Sequence, residues 1–565
     1  MALPAGIEEP VWPDGGRADE VRPYRIHASS KYLALTKNKL EIVRLPHELD
    51  RPKPTDCWPS KSQIEPLIDF WLGSYQWRDQ EEVLNDIPQF RTAFVVSQSK
   101  SAVKIHFIHD RSSSANAIPL LIIPPFPFSN LCLAHLIELF TEPGADHQSF
   151  HLVIPSLPGV GFSHSLPANT DAIPATAAIF DSLMKRLGYP FYLATNAGAG
   201  SSSPAQIDYR LADWLSTRYP ESCLGTHLIS PPLTAPGLQE APLEWAKWSI
   251  ANKFKASVWG YRSVDLSAFK QSRRTTSSNK ASGAHTKAGS STPKPAEPNV
   301  LSYALCDSPT GLLVLVMAGL RFLAPNKEFT PTEIINFTHT AWLPGPEGAM
   351  NFWAYCSNHT EKSLVKSPVK PRVVLTVFLG NDEPAITGGG SRADVDAAGG
   401  GDVFDSSPYS CPAWAKTRYD LLRTFRTSGK PGLLAWERPE IIANGVRGLA
   451  AAVLRVDSRL ARSLEPMSEP VPSGQQVVAS VGTVPPGKEE EEGGPQPPMS
   501  EWPDSQPKPS PKASGQPSPV KKATGHVNGV GNVRVTTSPV TPEASETPVL
   551  LQSTGPGLVA TAGTS

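Results

Sequence analysis

The sequence predicts an α/β protein in which buried parallel strands alternate with helices. Continuous apolar runs of strand length occur at 118–123 (IPLLII) and within 150–159 (FHLVIPSLPG), and the second ends in a Pro/Gly turn. Between them, CLAHLIELF (132–140) has the i, i+3, i+4 apolar spacing of a helix. Apolar strands separated by amphipathic helices are typical of a parallel sheet with helices on its faces.

The same alternation continues along the chain. Further strands are predicted at 190–195, 227–233 and 371–379. Helices are predicted at about 175–189, 209–219, 419–425 and 440–456, and the stretch 300–366 is helical and aromatic.

Composition divides the chain into a folded part and segments that lack core-forming residues. The 59 Pro and 42 Gly are concentrated near the end and in two internal patches. Segments without large apolar residues cannot offset roughly 1–2 kcal/mol of backbone entropy per residue, so we expect them to be disordered. The expected organisation is a flexible arm (1–30), a lead segment (31–110), a first core part (111–260), a cap (261–366) with a flexible insertion (270–299), a second core part (367–462) with a loop (386–407), and a disordered tail (463–565).

Charge and cysteine usage exclude several classes of protein. Lys plus Arg total 52 against 53 Asp plus Glu, so the net charge favours neither a nucleic-acid partner nor an anionic surface as partner. The six cysteines form no CxxC pair, which disfavours a metal site or a disulfide framework and fits a reducing, cytoplasmic location. We expect no signal peptide and no cofactor. The run 311–320 is about half the ~20 residues of a membrane span, so no transmembrane segment is expected.

Five sequence blocks between 70 and 313 resemble the microsomal epoxide hydrolase family and follow in the same order, within a resemblance that runs from Trp71 to about Arg455, about 385 residues. They are FWLGSYQWRDQEEVLNDIPQF (70–90), KIHFIHDRS (104–112), PSLPGVGFS (155–163), FDSLMKRLGY (180–189) and LSYALCDSPTGLL (301–313). The resemblance implies an α/β-hydrolase fold with a helical cap and an N-terminal lead segment of the epoxide hydrolase type.

The resemblance also implies a mechanism. An aspartate at a sharp turn after a strand, the nucleophile elbow, attacks an epoxide carbon, and a histidine oriented by an acid activates water to split the ester. An oxyanion loop and two cap tyrosines assist. The elbow needs small neighbours, and the base must lie within hydrogen-bond reach.

The positions that would carry this chemistry hold other residues. The elbow YLATNAGAGSS (192–202) places Gly198 at the nucleophile, which leaves no nucleophilic side chain. The oxyanion block reads Pro124-Pro125-Phe126-Pro127, and proline has no backbone N–H to donate. KPGLLAWERPE (430–440) places Gly432 at the base, and no histidine occurs from 360 to 525.

The acid and the cap tyrosines are also altered. Asn381 stands at the acid position, with Asp382 and Glu383 beside it. Ala341 and Trp353 stand at cap positions where a tyrosine is expected, and the first cap tyrosine aligns near Ser267.

Three functions fit these observations. The first is a noncatalytic family member that binds an apolar ligand in a pocket lined by Phe126, Trp342 and Trp353. The second is an enzyme that acts on an epoxide, an ester or a related hydrophobic metabolite through rewired residues, Ser201 or the Asp382/Glu383 pair. The third is an interaction protein that acts through its tail, where five Ser/Thr-Pro steps begin at 510, 518, 538, 541 and 547. The tail's partners are unknown.

Overall fold

A nine-stranded mixed sheet forms the centre of the fold, in the order β1-β2-β3-β5-β4-β6-β7-β8-β9. The computed structural model describes residues 20–47, 59–96, 102–144, 146–168, 170–198, 200, 203–255, 257–281, 298–324, 327–359, 369–380 and 409–462. The strands are β1 (Arg22–Pro23), β2 (Gln89–Val95), β3 (Ala102–Asp110), β4 (Ile118–Ile123), β5 (Phe150–Pro155), β6 (Tyr192–Asn196), β7 (Cys223–Ile229), β8 (Arg372–Phe378) and β9 (Asp420–Thr427). Three pairs of neighbours are antiparallel: β1 with β2, β2 with β3, and β3 with β5. The other neighbours in the sheet pair in parallel.

Helices cover the sheet and form the cap. Those of the lead segment and the core are α1 (Ser30–Glu41), α2 (Lys61–Gly73), α3 (Trp77–Asn85), α4 (Ile137–Thr141), α5 (Ala172–Arg186), α6 (Ile207–Arg218), α13 (Leu434–Glu437), α14 (Pro439–Val456) and α15 (Ser458–Arg462). Those between β7 and β8 are α7 (Pro242–Phe254), α8 (Ser263–Ala281), α9 (Pro298–Asp307), α10 (Pro309–Leu323), α11 (Pro331–Trp342) and α12 (Glu347–Asn358). Short 3-10 helices span Asn130–Leu136, Pro204–Gln206 and Pro412–Thr417.

The predicted fold class is confirmed, and one predicted element is wrong. β4, β5, β6 and β8 lie where the apolar runs predict strands, whereas β7 ends at Ile229 and shares only 227–229 with the strand predicted at 227–233. The segment 419–425, predicted to be a helix, belongs instead to β9 and pairs in parallel with β8 from Asp420 to Thr427. Its apolar spacing fits either structure, but a free strand edge beside β8 and the β-favouring Thr424 and Phe425 favour the strand.

The lead segment is built into the core sheet. β2 pairs with β3 over seven residues, and β3 pairs with β5 of the core. Residues 20–30, expected to be part of a loose arm, instead bind this segment: the backbone N–H of Ile26 donates to Asn85 Oδ1 (2.7 Å), and that of Ala28 to Glu81 Oε1 (2.6 Å).

The lead segment also holds the cap through one histidine. His339 of α11 is surrounded by the rings of Trp71, Tyr75 and Trp77, whose centroids lie 4.7–5.6 Å from its own. Nδ1 of His339 lies 3.4 Å from the Tyr75 hydroxyl. Three aromatic residues of the 70–90 block therefore join the lead segment to the cap.

The cap packs directly on the core through two glycines. A Cβ on Gly159, in the turn after β5, would lie 2.7 Å from the backbone carbonyl of Gly348 in α12. Only glycine permits this approach of two backbones. Within the cap, α8 continues to Ala281, so the first twelve residues of the expected insertion 270–299 are helical.

Several expectations lie outside the described residues. They concern residues 282–297 of the insertion, the loop 386–407 and the tail 463–565. Among the described helices none is long and apolar enough to cross a membrane alone, although the bent pair Val300–Asp307 and Pro309–Arg321 passes that test by length and composition.

We expect the fold to lose stability in mild acid. Burial lowers the pKa of His106, His227 and His339 to about 3, against about 6.5 in an unfolded chain. Because the folded state favours the neutral rings, the stability is present above pH 6.5 and is lost as the pH falls from there towards 3. The loss at pH 5 is at most roughly 2 kcal/mol per ring.

Urea unfolding at pH 7 and pH 5 measures this effect. The variant His339→Phe keeps an aromatic ring between Trp71 and Trp77 but cannot be protonated. Its difference in free energy of unfolding between the two pH values should be smaller than that of the unmodified chain. An unchanged difference would contradict the role given to His339.

Candidate active site

The elbow after β6 keeps its tight geometry. Asn196, the last residue of β6, accepts a hydrogen bond from the Ile229 backbone N–H at its Oδ1 (2.9 Å). Gly200 has a φ of 57°, and a Cβ there would overlap the Ile229 carbonyl oxygen and lie 2.7 Å from that of Ser230. The turn thus lies directly against the end of β7, where only glycine fits.

At Gly198, the position that the sequence predicts for the nucleophile, the space for a side chain is already occupied. A Cβ on Gly198 would overlap Oδ2 of Asp208 and would lie 2.9 Å from its Cγ and 3.2 Å from Cβ of Pro125. Asp208 belongs to the first turn of α6 and is fully buried. A carboxylate is therefore present at the elbow, but it comes from the following helix.

The Asp208 carboxylate is held by polar groups of the elbow. Its Oδ2 accepts hydrogen bonds from Asn196 Nδ2 (3.1 Å) and from the Gly200 backbone N–H (3.4 Å). Its Oδ1 makes no hydrogen bond within the described residues. Burial raises the pKa of Asp208, and the hydrogen bonds oppose that rise.

The segment after β4, which the sequence predicts to correspond to an oxyanion loop, contains three prolines. Pro124, Pro125 and Pro127 have no N–H to donate. Phe126 is the one residue of 124–127 that has a backbone N–H, and the Phe128 N–H donates to the Pro125 carbonyl (2.9 Å). Phe126 is buried and packs against Phe352 and Trp353, with ring centroids 6.4 and 6.3 Å apart.

At Gly432, the position that the sequence predicts for the base, a carboxylate likewise occupies the space for a side chain. Gly432 has a φ of 60°, and a Cβ there would overlap Oε2 of Glu437 and lie 3.2 Å from the Leu323 carbonyl oxygen. The fold brings one histidine from elsewhere to this segment: His135 lies against Trp436, with ring centroids 5.6 Å apart. Its Nε2 is engaged by the Ala435 carbonyl (2.6 Å), which leaves that nitrogen no role as a base.

The remaining expected site residues are dispersed. Ser201, Asn381, Asp382 and Glu383 lie outside the described residues. In the cap, Trp342 Nε1 donates to Thr36 Oγ1 of α1 (2.8 Å), and Trp353 Nε1 makes no hydrogen bond within the part of the chain that the structure describes. Ser267 donates to backbone carbonyls of its own helix.

A narrow apolar cleft separates the cap from the core. Its walls come from the segment after β4, the turn after β5, and the cap helices α10, α11 and α12, and they include Phe128, Val160, Leu315, Val316, Phe337, Ala341 and Met350. Its volume is about 50 Å³. Phe126, Trp342 and Trp353, which we expected to line a pocket, are not among its lining residues, and neither are Gly198 and Gly432.

Sequence reasoning missed Asp208 and Glu437. Asp208 is ten residues from Gly198 and reads as an ordinary helix-capping aspartate, since acidic residues favour helix N-termini. Its full burial is the signal that sets it apart, and that appears only in the fold. Among the described residues no group of three or more His, Cys, Asp or Glu side chains is placed to hold a metal ion.

Comparison with known proteins agrees with this architecture. The family model described as "Epoxide hydrolase N terminus" matches residues 21–133. Epoxide hydrolase 1 of Sus scrofa is 24% identical over 449 residues, which are 77% of this chain and 89% of that protein. Juvenile hormone epoxide hydrolase 1 of Ctenocephalides felis is 28% identical over 211 residues, 37% of this chain and 42% of that one.

Two solved structures share the fold. The juvenile hormone epoxide hydrolase of the silkworm Bombyx mori superposes with a TM-score of 0.58 at 18% identity, covering 77% of this chain and 95% of that one. The epoxide hydrolase of Aspergillus niger gives a TM-score of 0.54 at 19% identity, covering 77% and 97%. Residues 21–133 thus match the N-terminal domain of epoxide hydrolases, and the chain as a whole is similar to epoxide hydrolases of the microsomal type and shares their α/β-hydrolase fold.

Proposed function

We propose that this chain is a noncatalytic epoxide hydrolase family member that binds an apolar ligand between its cap and its core. The occupied nucleophile position carries the proposal. The Asp208 carboxylate occupies the space where a side chain at position 198 would lie, and it accepts a hydrogen bond there from Asn196. The Glu437 carboxylate likewise occupies the space where a side chain at position 432 would lie.

The chemistry of the site supports a loss of turnover. Epoxide opening through a covalent ester needs an exposed carboxylate, a base for the attacking water and donors for the developing oxyanion. Gly198 supplies no carboxylate and Gly432 supplies no base. The prolines at 124, 125 and 127 have no backbone N–H to donate to the oxyanion. Because such groups act as a unit, the loss amounts to many orders of magnitude in rate.

The cleft supports ligand binding. Its lining is largely apolar, which suits a hydrophobic ligand. Its volume of about 50 Å³ is small, since an apolar cavity that binds benzene measures roughly 150 Å³. A ligand of several carbon atoms therefore requires the cap to move away from the core at the contact between Gly159 and Gly348.

One observation favours a second function, that of a rewired hydrolase. Asp208 is a buried carboxylate at the elbow, and its Oδ1 makes no hydrogen bond within the described residues. A nucleophile delivered from α6 instead of the elbow would use this oxygen. Ser201, Asp382 and Glu383 remain further candidates from the sequence.

Steady-state turnover of styrene oxide distinguishes the two functions. The full-length chain should form diol no faster than buffer does, and the variants Asp208→Asn, Ser201→Ala and Asp382→Asn should not differ from it. Turnover at rates typical of enzymes that one of these variants abolishes would replace the first proposal with the second.

We expect one substitution in the cleft, Gly319→Leu, to block ligand binding without lowering the stability of the fold. Gly319 of α10 lines the cleft, and the nearest atom that a Cβ would meet is on Phe128, 4.0 Å away. The variant Gly319→Leu should fill the cleft and add helix propensity of about 0.5–1 kcal/mol. Saturation-transfer NMR with styrene oxide should detect binding to the unmodified chain and little or none to this variant.

Gly73→Leu provides the matched control, because a Cβ on Gly73 at the end of α2 meets nothing within 4 Å. It should bind styrene oxide as the unmodified chain does. Equal binding by Gly319→Leu would place the ligand outside the cleft.

A further inference from the structure

Exposed apolar side chains form a continuous stripe along α7. Leu243, Ile250 and Phe254 recur at i, i+7 and i+11 and so share one side of the helix, where they are 67, 42 and 68% exposed. A second side is buried, since Ala251 is fully buried and Trp248 packs against the Trp414 ring at 5.1 Å. The helix is therefore fixed to the protein by one side and presents large apolar groups on the other.

The turn after α7 adds an exposed indole. Trp259 is 54% exposed and has a φ of 52°, and Lys255 in the same turn has a φ of 51°. Left-handed conformations are unfavourable for such residues and persist only where the surrounding structure imposes them. We name the surface formed by Leu243, Ile250, Phe254 and Trp259 the α7 face.

Five exposed cations surround the turn. Lys253, Lys255 and Arg262 belong to the same segment. Lys416 joins them in space, because a Cβ on Gly260 would lie 2.9 Å from its Nζ, and Lys370 Nζ donates to the Lys416 carbonyl (2.5 Å).

The acidic residues of this stretch do not balance these charges. Glu244 pairs with a sixth cation, Lys247 (2.6 Å), and Asp265 is buried and binds Arg426 through both carboxylate oxygens (2.8 Å each). The third acidic residue of the segment 237–270 is Glu240, which forms no ion pair with any described residue. Since the whole chain carries a net charge of −1, the positive charge is concentrated locally.

We propose that the α7 face docks on an anionic lipid surface. Apolar side chains on one side of a helix, with lysines at its edge and tryptophan or phenylalanine beside them, are the pattern of a helix that lies in the plane of a bilayer interface. Lysine side chains reach from the apolar region to the phosphate groups. Protein–protein interfaces are instead depleted in lysine, whereas four of the five cations here are lysines.

Co-sedimentation with vesicles tests the proposal. The full-length chain is incubated with vesicles of phosphatidylcholine alone and of phosphatidylcholine with 30% phosphatidylserine, at low and at high salt. It should bind the anionic vesicles at low salt and dissociate as salt rises, because each cation near the surface contributes about fivefold to the partition coefficient.

Two variants of the face separate charge from apolar insertion. Lys253→Glu/Lys255→Glu should lower the partition coefficient by at least about 25-fold, the effect of losing two such cations. Ile250→Ser/Phe254→Ser should lower it by at least about tenfold, because two apolar side chains no longer leave water. Both variants should keep the thermal midpoint of the unmodified chain, since the substituted side chains are exposed.

A matched variant on α1 and its C-terminal flank controls for general effects of charge and hydrophobicity. Lys37→Glu/Ile42→Ser/Arg44→Glu changes two exposed cations and an apolar side chain that is 72% exposed. It should bind vesicles like the unmodified chain. An equal loss in this variant would show that binding does not depend on the α7 face and would overturn the proposal.

An acidic segment of the chain is the rival occupant. The sequence between 381 and 408 contains Asp394, Asp396, Asp402 and Asp405 and rejoins the described structure at Tyr409, whose N–H binds Ser272 of α8. If this segment covers the face, the unmodified chain will not bind vesicles and the variant with four Asp→Asn substitutions will. That result, or the absence of binding in both proteins, overturns the proposal.

Discussion

Replacing Gly200 with alanine is expected to lower the free energy of unfolding by about 2–5 kcal/mol, because backbone strain and overpacking act together at this position. A Cβ there would overlap the Ile229 carbonyl oxygen, which is a backbone atom of the central strand β7 and cannot move aside. The residue also has a φ of 57°, which disfavours any side chain by about 1–2 kcal/mol. Overpacking of a rigid site adds about 1–3 kcal/mol.

The variant Gly188→Ala separates these two causes. Gly188 has a φ of 87°, but a Cβ there meets nothing within 4 Å. It should lose only the conformational part, about 1–2 kcal/mol. Urea unfolding of both variants measures the difference, and equal losses would contradict the close contact between the elbow and β7.

Restoring an aspartate at the nucleophile position is expected to destabilise the fold instead of recovering an enzyme. The new side chain of Gly198→Asp would overlap Oδ2 of Asp208 and bring a second carboxylate into a fully buried site. Two like charges without water between them are costly, so we expect a loss of about 3–5 kcal/mol.

A double-mutant cycle tests whether Asp208 is the cause. Asp208→Ala alone loses the hydrogen bonds from Asn196 and Gly200 and should cost about 1–3 kcal/mol. The double variant Gly198→Asp/Asp208→Ala should be more stable than the sum of the two single losses predicts, by at least about 1 kcal/mol. Additive losses would mean that the two positions do not share one space.

The parts of the fold that the sequence predicted are those with a strong local pattern. β4 is apolar at every position, and a run of six such residues has few alternatives in a folded protein. β9 has no such pattern: Leu421, Leu422 and Phe425 suit a helix as well as a strand, and only its pairing with β8 decides. The Gly-rich spacing of the elbow was likewise sufficient to predict a tight turn, which Gly200 confirms.

The assignment of Gly198 and Gly432 to the candidate site rests on the alignment of their flanking residues and stays a prediction. The sequence shows that these two positions lack a side chain. What replaces it is not visible there, since Asp208 reaches Gly198 through the packing of α6 against β6. In the same way, contact between His135 and the segment around Trp436 joins residues about 300 positions apart.

The most direct measurement of the central claim is the mass of the intact protein after incubation with excess styrene oxide and rapid acid quenching. We expect no ester adduct, because Gly198 has no side chain and Asp208 is buried among the groups that bind it. Slow hydrolysis of an ester would favour its accumulation, so the absence of the histidine at position 432 makes the measurement more sensitive. An unmodified mass supports the noncatalytic account, and a stoichiometric adduct that maps to Asp208 and disappears in Asp208→Asn would contradict it.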